Sequence, residues 1–213
     1  MGLGLGHDKT LHIIAHSMGG LVARWFVEQE GGNEMVQHLM MLGTPNAGSP
    51  WPHVQAGLTT LASLIINNLV SLAFPPIKLL GILLEKIEDI DVALDEMEPS
   101  SDFLQELSAI VDPGIPYTVI AGNTSLINSP PDSPVGKLIA SLKNLVELPF
   151  YGEPNDIAVT VKSIKAIPAG RNPAPVITEV DCDHLVYFTN PSGKQALGTA
   201  VQQALTEELP NRA

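Results

Sequence analysis

The sequence predicts an α/β fold: a mostly parallel sheet with flanking helices and an inserted helical subdomain. Three observations carry that prediction. Short apolar runs at 11–15, 36–42, 115–121 and 175–180 have the length and branching of buried strands. Segments with apolar residues at helical spacing separate most of them. Between the second and third runs, about 49–112, helical patterns follow one another without a strand.

The first strand (Leu-His-Ile-Ile-Ala) turns at once, through His16-Ser17-Met18-Gly19-Gly20, into the helical pattern Leu21-Val22-Ala23-Arg24-Trp25-Phe26-Val27. That helix extends to about residue 30, where Gly31-Gly32 supply a left-handed stop. A serine at such a bend exposes its hydroxyl to the first amides of the next helix, which positions a weak alcohol nucleophile for acyl transfer. The second strand, 36–42, is closed by Gly43-Thr44-Pro45-Asn46-Ala47-Gly48. Strand, helix and strand with short links imply a right-handed parallel crossover.

Beyond Ser49, Leu58, Leu61, Ile65, Leu69 and Leu72 form an apolar stripe opposite Thr60, Ser63, Asn67 and Ser71, an amphipathic helix ending at Pro75. A second helix carries Leu80, Leu83, Ile87, Ile90 and Leu94 on one side and acidic residues on the other. A third covers about 101–110, with Ser100 or Ser101 as N-cap. The strand at 115–121 ends at Gly122-Asn123, and a Pro/Ser/Asn-rich loop leads to a short helix near 135–145. Residues 156–161 fit an extended or a helical reading equally. The last strand, 175–180, is followed by Asp181-Cys182-Asp183-His184 and a final helix over about 193–208, with Ser192 near its start.

At 213 residues the chain fits one domain with an insertion. Only 16% of residues are charged, so the surface is either well buried or kept apolar for a greasy substrate or a partner. A formal charge of −12 disfavours nucleic acid and anionic membranes as partners. The lone Cys182 excludes an internal disulfide and a cysteine-based metal site. His7, His38 and His53 lack ligand spacing, His12 reads as a strand residue, His16 is expected to pack near the pocket without transferring protons, and the acidic run at 85–98 lacks a calcium-loop pattern. No metal or cofactor is expected. The uncharged stretch 54–77 is interrupted by Gln55, Asn67, Asn68 and Pro75-Pro76, which argues against a membrane span. Residues 1–10 lack a signal-peptide pattern, so a cytoplasmic location is the default expectation.

In an open parallel sheet, site residues gather where strands end at their carboxyl edges. Ser17 follows the first strand, Asp156 lies in the region after the third, and His184 follows the last. A nucleophile, an orienting carboxylate and a base in the order Ser, Asp, His is the arrangement of nucleophile-elbow hydrolases. Asp181, Asp183 and Glu153 compete with Asp156 for the orienting role, although residues so close to His184 along the chain rarely point at its ring.

Ala15-His16-Ser17-Met18-Gly19-Gly20 resembles the elbow of α/β-hydrolase lipases and esterases. Leu42-Gly43-Thr44-Pro45-Asn46-Ala47-Gly48-Ser49 is similar to the segment after the next strand in bacterial lipases and GPI-inositol-deacylase-like proteins. Met97-Glu98-Pro99-Ser100-Ser101-Asp102-Phe103-Leu104, Asn155-Asp156-Ile157-Ala158-Val159-Thr160-Val161 and Asp181-Cys182-Asp183-His184 resemble further segments of the same group, in the same order. Ala15 and Ile157 stand where that family usually has glycine.

The resemblance implies a truncated α/β-hydrolase fold, spanning 1–213, that lacks the strands preceding the elbow and carries a helical lid inserted at about 50–112. It implies a serine hydrolase of lipase or carboxylesterase type, with Ser17 as nucleophile, His184 as general base and acid, and Asp156 as its orienter. The Met18 amide becomes an oxyanion donor; the family's other donor comes from the region before the elbow. The expected substrate is a hydrophobic ester. A second reading is an idle fragment whose exposed sheet edge docks a partner or a second copy. Thioesterase or acyltransferase chemistry would use the same residues.

Overall fold

The structure, a computed structural model, describes residues 11–49, 97–99, 101–128, 150 and 152–206. Four strands form one sheet in chain order: β1 (Leu11–His16), β2 (Val36–Leu42), β3 (Tyr117–Gly122) and β4 (Val176–Val180). Each neighbouring pair is parallel. The described helices are α1 (Met18–Gln29), α2 (Asp102–Ala109), α3 (Val161–Ile164) and α4 (Pro191–Thr206). The fold is α/β, as the alternation of strand and helix patterns predicts.

Small differences at the ends have local causes. β3 begins at Tyr117 rather than 115, since Pro116 has no N–H for the ladder, although its carbonyl still accepts from Leu39 N at 3.1 Å. α4 begins at Pro191, and its cap is Asn190, whose side-chain oxygen accepts from the amides of Ser192 and Gly193. α2 is capped by Ser101, which accepts from Leu104 N. The open segment 156–161 resolves into a tight loop and the first turn of α3, with Thr160 capping Ser163 N.

β2 and β3 lie at the centre of the sheet and are buried on both faces. Alternate residues face opposite layers. Leu39, Met41, Tyr117, Val119 and Ala121 pack with Ala23 and Val27 of α1 and with Val161 and Ile164 of α3. On the other face, Leu42 and Ile120 meet Tyr187 and Leu197, while Met40 meets Ala200 and Ala204 of α4. Each large side chain so buried contributes about 1.5–3 kcal/mol. α1 is packed on both sides, because Leu21 also joins Leu104 and Leu107 of α2, and Trp25 stacks on Phe103.

The helices expected over 57–96 and near 135–145, the lid among them, lie outside the described residues, as does the uncharged stretch 54–77. Among the described residues no helix is long and apolar enough to cross a membrane. β4 forms one sheet edge with four of its five residues exposed, and the outer edge of β1 has no strand partner among the described residues. What this sheet provides is a common direction. All four strands deliver their following loops to the same edge.

Candidate active site

Ser17 stands between β1 and α1 with φ 55° and ψ −135°, a conformation that costs a non-glycine residue about 1–3 kcal/mol. Two backbone hydrogen bonds hold it there: Ser17 N donates to Leu42 O, and Gly20 N donates to Ser17 O, both at 2.9 Å. A Cβ on Gly20 would collide with the Thr44 side chain, so this glycine lets α1 approach the loop after β2. Gly19 has open space around it. Met18 is the first residue of α1, so its amide is among the donors a helix cannot satisfy internally.

The structure brings Ser17, His184 and Asp156 together. His184 Nε2 lies 2.9 Å from Ser17 Oγ, and His184 Nδ1 lies 2.7 Å from Asp156 Oδ2. Asp156 is fully buried, yet each oxygen is satisfied. Oδ1 accepts from the amides of Ala158 and Val159 at 3.1 and 2.8 Å. Oδ2 accepts from the Tyr187 hydroxyl at 2.8 Å as well as from His184. An ionised carboxylate only accepts, which assigns the proton to Nδ1 and leaves the Nε2 lone pair facing the serine hydroxyl.

Ile157 explains how the loop achieves this. Its φ of 78° turns the chain so that the next two amides point back at Asp156, and its own N–H donates to Asn155 Oδ1 at 2.8 Å. The position favours glycine, and here a buried isoleucine occupies it. Among the competitors, Asp183 accepts from Leu185 N and does not meet the imidazole; burial pushes its carboxyl pKa up. The backbone also ties the two loops directly, with His184 N donating to Asp156 O at 2.7 Å.

Tyr187, which donates to Asp156, was not singled out from the sequence, and other residues also have a part in this geometry. Gly43, at φ 59°, leaves room where a Cβ would come within 2.8–3.0 Å of Tyr187, Asp156 and His184. The loop it opens clamps the Asp156 segment: Asn46 Nδ2 donates to Ile164 O, Ser49 Oγ to Ala158 O, and Ser163 Oγ to Gly48 O. The signal was the glycine-rich segment at the end of a central strand. His16 packs on His184 with ring centroids 4.7 Å apart, and its Nε2 donates to His184 O at 2.8 Å. Burial, aided by the neighbouring His184, lowers its pKa to about 4, so it stays neutral near pH 7. His38 instead shares a hydrogen bond with Thr118 Oγ1 in the core.

A second polar cluster lies at the other end of α1. Glu28, fully buried at its side chain, pairs with Arg24 Nε and Arg171 Nη2, each at 2.9 Å. It also accepts from the Tyr117 hydroxyl at 2.8 Å. Arg171 lies over the Tyr117 ring, and Arg24 reaches Asn46 Oδ1 and Leu107 O.

Comparison with solved structures gives the same fold. A lipase from Bacillus licheniformis, BlEst2 in its mature form, is 20% identical with a TM-score of 0.51, covering 92% of this chain and 66% of its own. A hydrolase from Pseudomonas aeruginosa PA01 is 17% identical with a TM-score of 0.50, covering 93% of this chain and 66% of its own. This chain therefore spans just under two thirds of either structure's length, and the fold it shares with them is α/β-hydrolase-like. No curated protein matches it. At residues 3–202 the chain matches the model of a family described as a domain of unknown function, and it belongs to that family, DUF7379.

Proposed function

We propose that this protein is a serine hydrolase of carboxylic esters, of lipase or carboxylesterase type, with Ser17 as nucleophile, His184 as base and acid, and Asp156 as orienter. One observation carries the reading: the 2.9 Å and 2.7 Å contacts that link hydroxyl, imidazole and buried carboxylate in a row. The strained backbone at Ser17 supports it, because such strain persists only where surrounding structure enforces it. The likeness to a lipase fits this class and adds the fold alone.

In this mechanism Ser17 Oγ attacks the ester carbonyl carbon while its proton passes to His184 Nε2. The oxyanion forms beside the Met18 amide at the start of α1. Asp156 keeps Nδ1 protonated and faces the imidazolium that develops. The proton on Nε2 then moves to the departing alkoxide as the carbon–oxygen bond breaks, leaving an acyl-serine. Water, giving its proton to Nε2, adds to the acyl carbon; the bond from that carbon to Ser17 Oγ then breaks, Oγ takes the proton back from Nε2, and the acid departs.

A fluorophosphonate probe is expected to label Ser17, and Ser17→Ala is expected to abolish labelling and reduce hydrolysis of p-nitrophenyl esters by at least about 10⁴-fold. Hydrolysis unchanged in Ser17→Ala, or a label on another residue, would overturn the reading.

A further inference from the structure

Resting on that reading, we infer that Tyr187 is a positioning residue of the site: its hydroxyl fixes the Asp156 oxygen on which His184 is oriented. Gly122 N donates to the Tyr187 oxygen at 2.6 Å, which commits that oxygen as an acceptor. The phenolic proton then has Asp156 Oδ2, at 2.8 Å, as its acceptor, and the same carboxylate oxygen receives His184 Nδ1. One oxygen thus takes two donors, one permanent and one on the imidazole.

The surroundings are shaped around this contact. Tyr187 is fully buried, and its ring packs with Leu42, Ile120, Val180 and Cys182. A Cβ at Gly43 would lie 2.8 Å from the Tyr187 ring, and one at Gly122 would lie 2.7 Å from its hydroxyl oxygen. Glycines at the ends of two central strands therefore leave the space in which this phenol meets the carboxylate. Burial and the Asp156 charge push the Tyr187 pKa far upward, so the group remains a donor across the working pH range.

Without the hydroxyl, Asp156 Oδ2 would be held by the imidazole alone, and the carboxylate could rotate about its Oδ1 bonds. The imidazole would then sample orientations in which Nε2 leaves the serine. Hydrogen bonds to charged groups of this kind correspond to about 10- to 100-fold in rate. The cost should fall on kcat, because the fully buried Tyr187 acts through Asp156 rather than on substrate.

The experiment compares Tyr187→Phe with Tyr117→Phe, which removes a second buried tyrosine–carboxylate bond, to Glu28, away from Ser17. Rates on a p-nitrophenyl ester are expressed per probe-titrated site. The expected result is a loss in kcat of about 10- to 100-fold with KM within about twofold for Tyr187→Phe, and an unchanged kcat for Tyr117→Phe at comparable loss of Tm. The downfield proton resonance of His184 Nδ1–H reads positioning without turnover; it should shift in the first variant and stay in the second. Genetically encoded 3-fluorotyrosine in place of Tyr187 keeps the fold and the hydroxyl while strengthening the donor, and it should move the same resonance. A titrated kcat equal to wild type, an equal loss in both variants, or an unmoved resonance would overturn the role of Tyr187. A wild-type protein that neither labels nor hydrolyses, yet whose resonance responds to Tyr187, would overturn the hydrolase reading and leave the positioning role standing.

Discussion

Glu28 and Asp156 are both buried carboxylates, and each accepts a hydrogen bond of 2.8 Å from a buried tyrosine, Tyr117 in one case and Tyr187 in the other. Their remaining partners differ. Glu28 is met by two guanidinium groups, Arg24 and Arg171, whose positive charge is permanent. Asp156 is met by two backbone amides and an imidazole. At Glu28 two guanidinium groups face the carboxylate, and the cluster ties α1 to Tyr117 of β3 and to Arg171. At Asp156, among the described residues, amides, a phenol and an imidazole take the place of the guanidinium groups. The first arrangement is built on opposite charges and the second on hydrogen-bond donors and an imidazole, and that difference sets the Glu28 cluster apart from the candidate site.

The sharpest way to break this comparison is to remove each negative charge while keeping the shape. Asp156→Asn is expected to cost about 10⁴-fold in kcat on p-nitrophenyl esters, through the wrong tautomer on His184, with the fold retained by circular dichroism. Glu28→Gln should do the reverse. It leaves two buried guanidinium groups without their carboxylate, and a loss of about 3–5 kcal/mol in urea unfolding is expected, with kcat per titrated site unchanged. If both variants lose turnover, the two clusters are not separate in function.

A smaller effect concerns His16, which packs on His184, whereas among the described residues the Glu28 contacts are arginines and a tyrosine. Its pKa is lowered to about 4 from 6.5, so between those values the unfolded chain binds more protons than the folded one. Stability therefore rises with pH across that window and is lost on acidification, by up to about 3 kcal/mol at about 1.4 kcal/mol per pH unit. Urea unfolding from pH 6.5 to 4 should show this slope, flattened in His16→Asn. A slope identical in that variant would place the acid sensitivity elsewhere.

Much of this was legible along the chain because it depends on period and order. The runs at 36–42 and 175–180 become β2 and β4 within a residue, β2 because a strand buried on both faces is apolar over its length, and β4, an exposed edge, through its β-branched Val176, Ile177, Thr178 and Val180. Ser17 and His184 were legible because strand ends in a parallel sheet share one edge. Asp156 was favoured over Asp181, Asp183 and Glu153 by chain order, yet its contact with the ring was not legible, because a carboxylate's direction depends on loop dihedrals such as the positive φ of Ile157. Tyr187 carried no such mark, and Gly43 was marked only as part of the glycine-rich close of the second strand. A tyrosine three residues after a histidine is ordinary until a glycine from another strand makes room beside it.

Alternation of apolar strands with helices, and the succession of serine, aspartate and histidine behind them, were properties of the polymer itself, since hydrophobic periodicity dictates which faces are buried. Whether hydroxyl, imidazole and carboxylate actually touch, and whether a buried charge meets arginines or amides, was decided by packing. Hydrogen bonds act over about 3 Å, and only the assembled sheet sets distances on that scale between residues far apart in the chain.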